Sequence, residues 1–353
     1  DYPRVLELKE RFLRRAFELQ GKADLTSEDF RLFYDEAAAW LRPYALYCVL
    51  RDQFGSGVPS DWTEWEAYDE AKAAAYLDDA AHAEEVGYYY WLQFVLDRQL
   101  QAVRSYAEER GVFLKGDLPI GVAPHSVDVW MAPHLFHTEQ SAGAPPDDFA
   151  ADGQNWGFPT YNWERMQEEG DFRWWRQRFE RQARYFHAFR IDHILGFFRI
   201  WEVPRTQRSG LLGHFHPALP YSLEEWQEKL ALPFPIELLT VPLVHEDELT
   251  ARLGDSFDDL LDSGYLRSTA LAGLYQLTHG EQAGYETEAV QRALGADVAA
   301  VLAELCTETA LIADPYKAGH YHPRIALERS RLFARLPEEL QERWRAVSDD
   351  YYY

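Results

Sequence analysis

Hydrophobic positions in the first part of the chain recur at helical spacing. Apolar residues return every three or four positions over residues 4–20, which predicts an amphipathic helix. Similar spacing predicts a second helix, and we expect Pro43 to break or restart it because proline does not fit a helix interior. A long helix is predicted over residues 81–110, and Gly111 suits the left-handed position that follows a last helical turn.

The pattern changes after Gly111. The short apolar run over residues 112–114 is typical of a buried parallel strand, and residues 188–192 predict the next strand. Residues 121–163 are rich in Pro, Gly, Asp and Trp without a regular period, and such long irregular stretches are usually functional. With a predicted helix over residues 171–186, the order of elements indicates an α/β fold, in which functional residues follow the carboxyl ends of strands.

Helical spacing returns after residue 206. Helices are predicted near residues 222–231, 246–262, 267–278, 285–304 and 336–346. No internal repeat stands out in this part of the chain. We therefore expect a mostly helical region here.

The composition narrows the classes of function. The 353 residues include 35 Lys and Arg against 59 Asp and Glu, and this net charge of −24 argues against nucleic acid and anionic membranes as partners. No apolar run approaches the roughly 20 residues that a membrane-spanning helix needs. An aromatic content of 15% excludes a disordered acidic chain. Cys48 and Cys306 are too few for a disulfide framework, which favours a reducing compartment.

The sequence Arg190-Ile191-Asp192-His193 closes the second predicted strand. Arg190 and Asp192 are two positions apart and so share a strand face. There the arginine would keep a buried carboxylate ionised, as a nucleophile requires. A structural ion pair at the rim of a barrel is the alternative, and the four residues alone favour it.

Asp117 follows the first predicted strand, where a carboxylate would reach a hydroxylated ligand. An Asx turn before Pro119 is the alternative, and the local sequence by itself favours the turn. Further along, Ser126 is placed to cap a short helix that contains Asp128 and Trp130. A tryptophan in such a position is more often part of a core than a platform for a ligand.

The loop over residues 143–163 places amides and carboxylates beside large aromatic rings. Asp147, Gln154 and Asn155 precede Trp156 and further aromatic residues. Sugars present hydroxyl groups to polar side chains and an apolar face to aromatic rings. Contact with a sugar and packing of the loop onto itself are both consistent with this composition.

No motif for a metal or an organic cofactor is present. The 12 histidines do not fall into HExxH or similar spacing, and the pairs His214/His216 and His320/His322 are expected to be solvated in loops. The sequence contains no P-loop, no dinucleotide-binding fingerprint and no G-x-S-x-G elbow. We therefore expect no metal ion and no cofactor.

Five ordered blocks resemble glycoside hydrolase family 77, the 4-α-glucanotransferases or amylomaltases. They span residues 115–122, 126–130, 141–147, 153–163 and 190–204. The segment that follows Pro204 is similar to the plant cytosolic type of the family, called disproportionating enzyme 2, and to its bacterial relatives.

The resemblance implies a fold, a reaction and a location. The fold would be α/β, a partial TIM (β/α)8-type barrel with large, mostly helical insertions. Residues 1–110 would form a helical insertion, residues 111–205 a barrel segment with the nucleophile, and residues 206–353 a second, mostly helical insertion. The reaction would move α-1,4-linked glucosyl units from maltose or malto-oligosaccharides to a glucan or glucose acceptor, in the cytoplasm and without a cofactor.

The resemblance also assigns roles to single residues. Asp192 would be the nucleophile that forms a glycosyl-enzyme, Arg190 would keep it ionised, and His193 would border the donor sugar. The other residues assigned to substrate binding are Asp117, Asp128, Trp130, Asp147, Gln154, Asn155 and Trp156.

Two carboxylates that the family uses have no counterpart in the sequence. Retaining glycosidases need an acid/base about 5 Å from the nucleophile, and the family's Gly-Glu-Asp-Leu-Gly block for it does not occur. The His-Asp pair that precedes the third carboxylate is also missing. We therefore expect an internal fragment of a longer enzyme that is inactive by itself. The alternatives are a glucan-binding unit without catalysis and a related α-glucan hydrolase.

Overall fold

The computed structural model describes residues 1–278 and 288–352. The chain has a mixed architecture of helices and strands, as predicted. It divides into two compact units. The first contains Asp1–Phe136 and Tyr161–His193, and the second contains His137–Thr160 and Ile194–Tyr353.

The helices and strands have the following bounds. The helices are α1 (Tyr2–Ala16), α2 (Lys22–Asp24), α3 (Glu28–Phe54), α4 (Glu70–Asp78), α5 (Ala83–Glu108), α6 (Val127–Met131), α7 (Trp163–Glu168), α8 (Arg173–Tyr185), α9 (Leu223–Leu230), α10 (Glu246–Leu253), α11 (Ser256–Asp262), α12 (Glu288–Leu294), α13 (Ala296–Leu305), α14 (Arg331–Ala334) and α15 (Glu338–Tyr352). The strands are β1 (Lys115–Leu118), β2 (Phe136–His137), β3 (Gln140–Ala144), β4 (Gln154–Asn155), β5 (Thr160–Tyr161), β6 (Ala188–Ile191), β7 (Ile200–Pro204), β8 (His214–His216), β9 (Tyr221–Ser222), β10 (Leu243–His245), β11 (Leu266–Ser268), β12 (Leu274–Leu277), β13 (Leu311–Ala313) and β14 (His320–Pro323).

Helices α3 and α5 form the centre of the first unit. Our expectation that Pro43 breaks the second helix was wrong, because α3 continues through it. Leu41, Ala45 and Leu46 on either side are fully buried, and their burial offsets the roughly 3 kcal/mol that an interior proline costs. The predicted long helix is confirmed as α5, and Gly111 follows it with a left-handed φ of +65°.

The two predicted strands pair in parallel, but one begins later than expected. Strand β6 agrees with the prediction, and β1 pairs with it from Lys115 onward. The prediction of a strand over residues 112–114 was wrong, because Val112 and Phe113 are exposed and precede β1. The Leu114 N–H instead donates a hydrogen bond of 3.0 Å to Nδ1 of His187, which fixes the approach to β1.

A buried carboxylate joins α5 to α8. The side chain of Asp97 is 5% exposed. It accepts hydrogen bonds from Nε of Arg184 at 2.8 Å, from the Tyr185 hydroxyl at 2.7 Å and from Nε2 of Gln101 at 2.5 Å. Because each donor is bound to the same carboxylate, α8 is held at one position along α5.

Three antiparallel sheets organise the second unit. Their strand orders are β4-β3-β7-β8, β10-β12-β11 and β13-β14-β9. Helix α9 packs against α15 through Trp226 and Trp344, whose stacked rings lie 5.8 Å apart. Helices α10, α11 and α13 supply leucines to a second apolar core around Leu249, Leu260 and Leu302.

The predicted helices after residue 206 are confirmed in part. Helices lie near 222–231 and 336–346, and the segment 246–262 forms α10 and α11, separated at Gly254 with a φ of +52°. The helix predicted over 267–278 was wrong. That segment pairs as β11 and β12, because a left-handed turn at Gly273 reverses the chain.

Helices α12 and α13 lie in the predicted segment 285–304, whose first three residues are outside the described residues. Strands β8 to β14 also lie after residue 206. The assignment of residues 1–110 and 206–353 as insertions around a barrel segment over 111–205 stays a prediction.

The histidine pairs differ from the expectation of solvated loops. His214 and His322 are buried on β8 and β14. Their rings stack with centroids 4.2 Å apart, so sheet pairing has enclosed residues that their polar character alone would place at the surface. None of the described helices combines the length and the apolar character that crossing a membrane requires.

Replacement of Asp97 by alanine should destabilise the first unit. The change would leave the guanidinium of Arg184 and the Tyr185 hydroxyl without their shared acceptor. Loss of one partner of a buried ion pair costs about 3 kcal/mol. Urea denaturation followed by tryptophan fluorescence measures the expected decrease in the unfolding midpoint.

Glu168→Ala is the matched control. Glu168 lies 3.3 Å from Arg165 in an exposed ion pair, and exposed pairs contribute less than about 1 kcal/mol. Equal midpoints for the two variants would contradict the role of Asp97.

Candidate active site

The carboxyl ends of β1 and β6 bring three charged side chains together. Asp117 lies directly opposite Arg190 in the parallel register. Arg190 donates from Nε to Oδ1 of Asp117 at 2.9 Å and from Nη2 to Oδ2 at 2.5 Å. The same Nη2 lies 3.9 Å from Oδ1 of Asp192. One guanidinium therefore serves two carboxylates.

This arrangement corrects two expectations about Asp192. Sequence analysis predicts a buried Asp192 with Arg190 as its own partner, whereas Arg190 makes its two-pronged bond to Asp117. The side chain of Asp192 is 55% exposed. The physical reason is position: Asp117 lies opposite Arg190 in the ladder, whereas Asp192 follows the last residue of β6.

The electrostatics of the pair follow from its geometry. The hydrogen bonds from Arg190 lower the pKa of the Asp117 carboxyl, and the bonded carboxylate raises the pKa of Arg190. Both groups are therefore charged at neutral pH. A carboxyl group with a lowered pKa holds its proton only in acid, so Asp117 is unsuited to donate a proton at neutral pH.

Sequence reasoning missed the bond between Asp117 and Arg190. Each residue was singled out by its position at a strand end, but their pairing depends on the register between two strands that are far apart in sequence. Aligning the two strand ends side by side, as a parallel pair, would have indicated it.

His193 continues the chain beyond Asp192 in an uncommon conformation. Its φ is +49°, a left-handed value that non-glycine residues seldom adopt. The chain therefore bends sharply immediately after Asp192. Strained backbone of this kind is often found at functional sites.

Asp128 lies in the first turn of α6, which Ser126 caps as predicted. Its Oδ1 accepts a hydrogen bond of 2.9 Å from Nε1 of Trp174 on α8. The carboxylate thus helps to fix α6 against α8. Sequence reasoning did not identify Trp174 as its partner.

Trp130 occupies a core position. It is 5% exposed, and the rings of Tyr47, Trp62 and Tyr68 surround it with centroids 6.0, 5.5 and 5.0 Å away. Its Nε1 donates to the Trp65 carbonyl at 3.0 Å. The expectation that Trp130 contacts a sugar is therefore corrected: its faces are covered by other side chains.

Asp147 shapes the loop of the second unit in which it lies. Its Oδ1 accepts hydrogen bonds from the backbone N–H groups of Phe149 at 2.8 Å and Ala150 at 2.7 Å. This Asx turn presents Phe149 to solvent, with 98% of the residue exposed.

Asn155 holds the same loop at β4. Its Nδ2 donates to the Gln207 carbonyl at 2.6 Å, and its Oδ1 accepts from the Gly157 N–H at 2.8 Å. Strand β4 lies very close to β3, because a Cβ on Gly143 would come within 2.1 Å of the Gln154 carbonyl oxygen. Only glycine allows this approach.

Trp156 and Phe158 form an aromatic pair immediately after β4. Nε1 of Trp156 donates to Oε1 of Gln154 at 2.9 Å, and the ring of Trp156 stacks on Phe158 with centroids 5.9 Å apart. The polar groups of Asp147, Gln154 and Asn155 are thus bonded within the second unit. They build the loop, and any sugar contact would use groups that are already held in place.

Comparison with known proteins agrees with the sequence blocks. A family model described as 4-alpha-glucanotransferase, glycoside hydrolase family 77, matches residues 1–314. The chain belongs to the 4-alpha-glucanotransferase family.

Curated members of the family are similar to this chain in sequence. The 4-alpha-glucanotransferase DPE2 of rice, Oryza sativa subsp. japonica, is 34% identical over all of the chain, which covers 38% of the rice protein. The 4-alpha-glucanotransferase of Aquifex aeolicus is 35% identical over 61% of the chain and 44% of its own length.

A solved amylomaltase is similar in structure. The amylomaltase from Streptococcus agalactiae in complex with acarbose superposes with a TM-score of 0.56 and 29% identity, over 67% of this chain and 48% of its own. The chain therefore spans less than half the length of each of these glucanotransferases.

Removal of the guanidinium should change the titration of Asp117. In Arg190→Gln, the pKa of the Asp117 carboxyl should rise toward its ordinary value, because the donors that favour the ionised form are gone. Carbon-13 NMR of the carboxyl group across an acid titration measures this.

The direction of the pH dependence also follows. The pKa of the Asp117 carboxyl is lower in the folded state than in the unfolded state. Its ionised form therefore stabilises the fold at pH values above the unfolded-state pKa, and this stabilisation is lost as the pH falls through the folded-state pKa. Arg165→Gln, which removes an exposed arginine bound to Glu168, is the control. An Asp117 titration unchanged in Arg190→Gln would contradict the pairing.

Gly143→Ala should destabilise the loop. The added methyl group would clash with backbone rather than with a flexible side chain, and overpacking of this kind costs about 1–3 kcal/mol. Amide exchange at residues 154–156 should become faster. In Gly57→Ala, the new methyl meets Tyr47 only at an ordinary 3.7 Å, so this control should leave stability nearly unchanged.

Proposed function

We propose that the polypeptide containing this chain is a 4-alpha-glucanotransferase. It transfers α-1,4-linked glucosyl units from maltose or a malto-oligosaccharide to a glucan or glucose acceptor, with retention of configuration. Membership of the family supports this proposal. The single structural observation that carries it is the exposed carboxylate of Asp192 at the end of β6, beside the arginine that bridges to Asp117.

Asp192 is the proposed nucleophile. Its carboxylate is accessible, as attack on the anomeric carbon of a sugar requires. The guanidinium of Arg190, whose Nη2 lies 3.9 Å from Oδ1 of Asp192, places a positive charge between the two carboxylates. Asp117 holds the guanidinium by two bonds, so it positions Arg190 rather than reacting itself.

The strand pair supports the proposed barrel. Strands β1 and β6 are parallel neighbours, and the helices α6, α7 and α8 lie between them in sequence. In a TIM-type barrel the catalytic residues lie at the carboxyl ends of the strands. Asp117, Arg190 and Asp192 occupy that position on the two strands.

A retaining mechanism needs two carboxyl groups with different roles. The second group must hold a proton at neutral pH, donate it to the leaving oxygen and then activate the acceptor. The lowered pKa of Asp117 makes it unsuitable for this step. The proposal therefore assigns no acid/base role to it, in keeping with the family's use of a glutamate in a block that the sequence does not contain.

The aromatic loop is the proposed cover for the glucan. Its backbone is fixed by Asp147 and Asn155, and the ring of Trp156 and the exposed ring of Phe149 are proposed to contact the sugar. Glucosyl transfer exceeds hydrolysis when the acceptor sugar is retained and bulk water is excluded. His193 is proposed to border the donor sugar, and Asp128 and Trp130 to support that region through α6.

The cytoplasm is the proposed location. The resemblance to the plant cytosolic type supports this, and so does the small number of cysteines, since Cys48 and Cys306 are the two in the sequence and both are buried. Both observations are compatible with a reducing compartment.

Asp192→Asn should abolish transfer in the complete polypeptide that contains this chain. The amide keeps the shape of the side chain but cannot form the glycosyl ester, so the rate should decrease at least about 1000-fold. Incubation with maltose and a labelled glucan acceptor, with chromatography of glucose and elongated products, measures transfer. Binding of maltoheptaose, measured by calorimetry, should persist.

Asp262→Asn is the control, because Asp262 lies exposed at the end of α11. Turnover retained by Asp192→Asn would remove Asp192 from the nucleophile role. Release of glucose without elongation of the acceptor would identify a hydrolase. Glucan binding without any turnover by the unaltered polypeptide would identify a binding unit.

A further inference from the structure

Two histidines and one glutamate converge in the second unit. One ring nitrogen each from His137 and His216 and a carboxylate oxygen of Glu202 all lie within 4.8 Å of one another. His137 ends β2, Glu202 lies in the middle of β7, and His216 ends β8. The fold thus collects three metal-binding side chains from three separate strands.

The pairing of β7 with β8 explains why two of them meet. Ile200 lies opposite His216 and Glu202 lies opposite His214 in this antiparallel pair. Because side chains alternate between the two faces of a sheet, Glu202 and His216 are diagonal neighbours on one face. His137 approaches the same place, with its ring edge-on to that of His216 at a centroid distance of 5.5 Å.

Glu202 is a fully buried carboxyl group. It is 0% exposed and accepts hydrogen bonds from the hydroxyl groups of Thr160 and Tyr316. Over residues 1–278 and 288–352, no lysine or arginine forms an ion pair with it. Burial of a carboxylate is costly unless a cation compensates its charge.

The two histidines have ring nitrogens available. Within the described residues, no hydrogen bond involves a ring nitrogen of His137 or His216. Tyr316 packs against both rings, with centroids 4.6 Å and 4.4 Å away, while its hydroxyl donates to Glu202 at 2.8 Å. Tyr316 therefore orients all three side chains at once.

A second layer of buried polar groups lies behind Glu202. His214, opposite Glu202 on β8, stacks on His322. His322 is bonded through Nε2 to Asp314 at 2.9 Å and through Nδ1 to the Tyr351 hydroxyl at 2.7 Å. These groups surround the cluster with further buried polar side chains of the second unit.

We propose that His137, Glu202 and His216 bind a divalent transition-metal ion of the zinc type. Two imidazole nitrogens and one carboxylate oxygen form the ligand set of open zinc sites, in which water takes the fourth position. Ligand atoms about 2.1 Å from zinc in a tetrahedron lie roughly 3.4 Å apart. The ligand atoms now lie within 4.8 Å of one another. Small side-chain rotations would bring them to the tetrahedral separation.

The ligand set also selects the ion. Mg²⁺ and Ca²⁺ prefer oxygen ligands, whereas imidazole suits zinc and its neighbours in the first transition row. Bound zinc would supply the positive charge that Glu202 lacks and would join β2, β7 and β8. Such a site stabilises the fold of the second unit.

Metal titration of the complete polypeptide tests this site. The protein is stripped with a chelator, dialysed and titrated with Zn²⁺ against a competing fluorescent indicator. Zinc should bind at micromolar concentration or below and raise the Tm, whereas Mg²⁺ should leave the Tm unchanged. Co²⁺ should give the intense visible absorption of tetrahedral coordination.

His137→Gln and His216→Gln each remove one nitrogen ligand. Each variant should bind one equivalent of Zn²⁺ fewer, or bind it at least about tenfold more weakly, and should lose the Co²⁺ absorption. His320→Gln is the matched control, because His320 lies in the same unit on β14 with its Nδ1 3.1 Å from the Ala318 carbonyl oxygen. It should bind both metals as the unaltered protein does.

Folding of each variant is checked by circular dichroism. Glu202→Gln provides a further variant, since glutamine keeps the shape of the side chain and can still bond to Thr160 and Tyr316. It should be folded and should lose the zinc-dependent rise in Tm. Absence of zinc binding to the unaltered protein at micromolar concentration would overturn the proposal. Equal zinc binding by the unaltered protein and by all three variants would overturn it as well.

Discussion

The candidate active site depends on the parallel register between β1 and β6. In this register Asp117 stands opposite Arg190, and one guanidinium organises two carboxylates. A slip by one residue would turn the side chains to opposite faces and separate the pair. Local packing enforces the register: Gly116 lies against the Phe186 ring, where a Cβ would come within 2.7 Å. The placement of these charged side chains thus depends on a close contact between a glycine and an aromatic ring.

The spacing of apolar residues predicted the helices and strands in which the local sequence preference agrees with the packing of the fold. Strand β6 and helix α5 with its terminal Gly111 were found in this way. The signal failed where tertiary contacts decide. Buried leucines and alanines carry α3 through Pro43, and the apolar positions of 267–278 fit a hairpin as well as a helix once Gly273 permits a turn.

The same division applies to the candidate functional residues. Arg190 and Asp192 could be found because both lie at one strand end, whereas the bond from Arg190 to Asp117 depends on the pairing of two distant segments. The burial of Trp130 depends on residues of α3 and of the segment after it. Three strands bring His137, Glu202 and His216 together. Their spacing along the chain therefore does not predict that they form a cluster. Sequence reveals candidate residues, but their partners are set by the fold.

The aromatic side chains around Trp130 connect helix α3 to the segment that follows β1. Tyr47 comes from α3, and its hydroxyl also bonds to the His125 carbonyl, immediately before α6. Residues 1–110 therefore form part of the packing around Trp130. A chain lacking them would expose the indole of Trp130 and loosen α6, which carries Asp128, so this segment can be exchanged only together with the aromatic residues that pack against it.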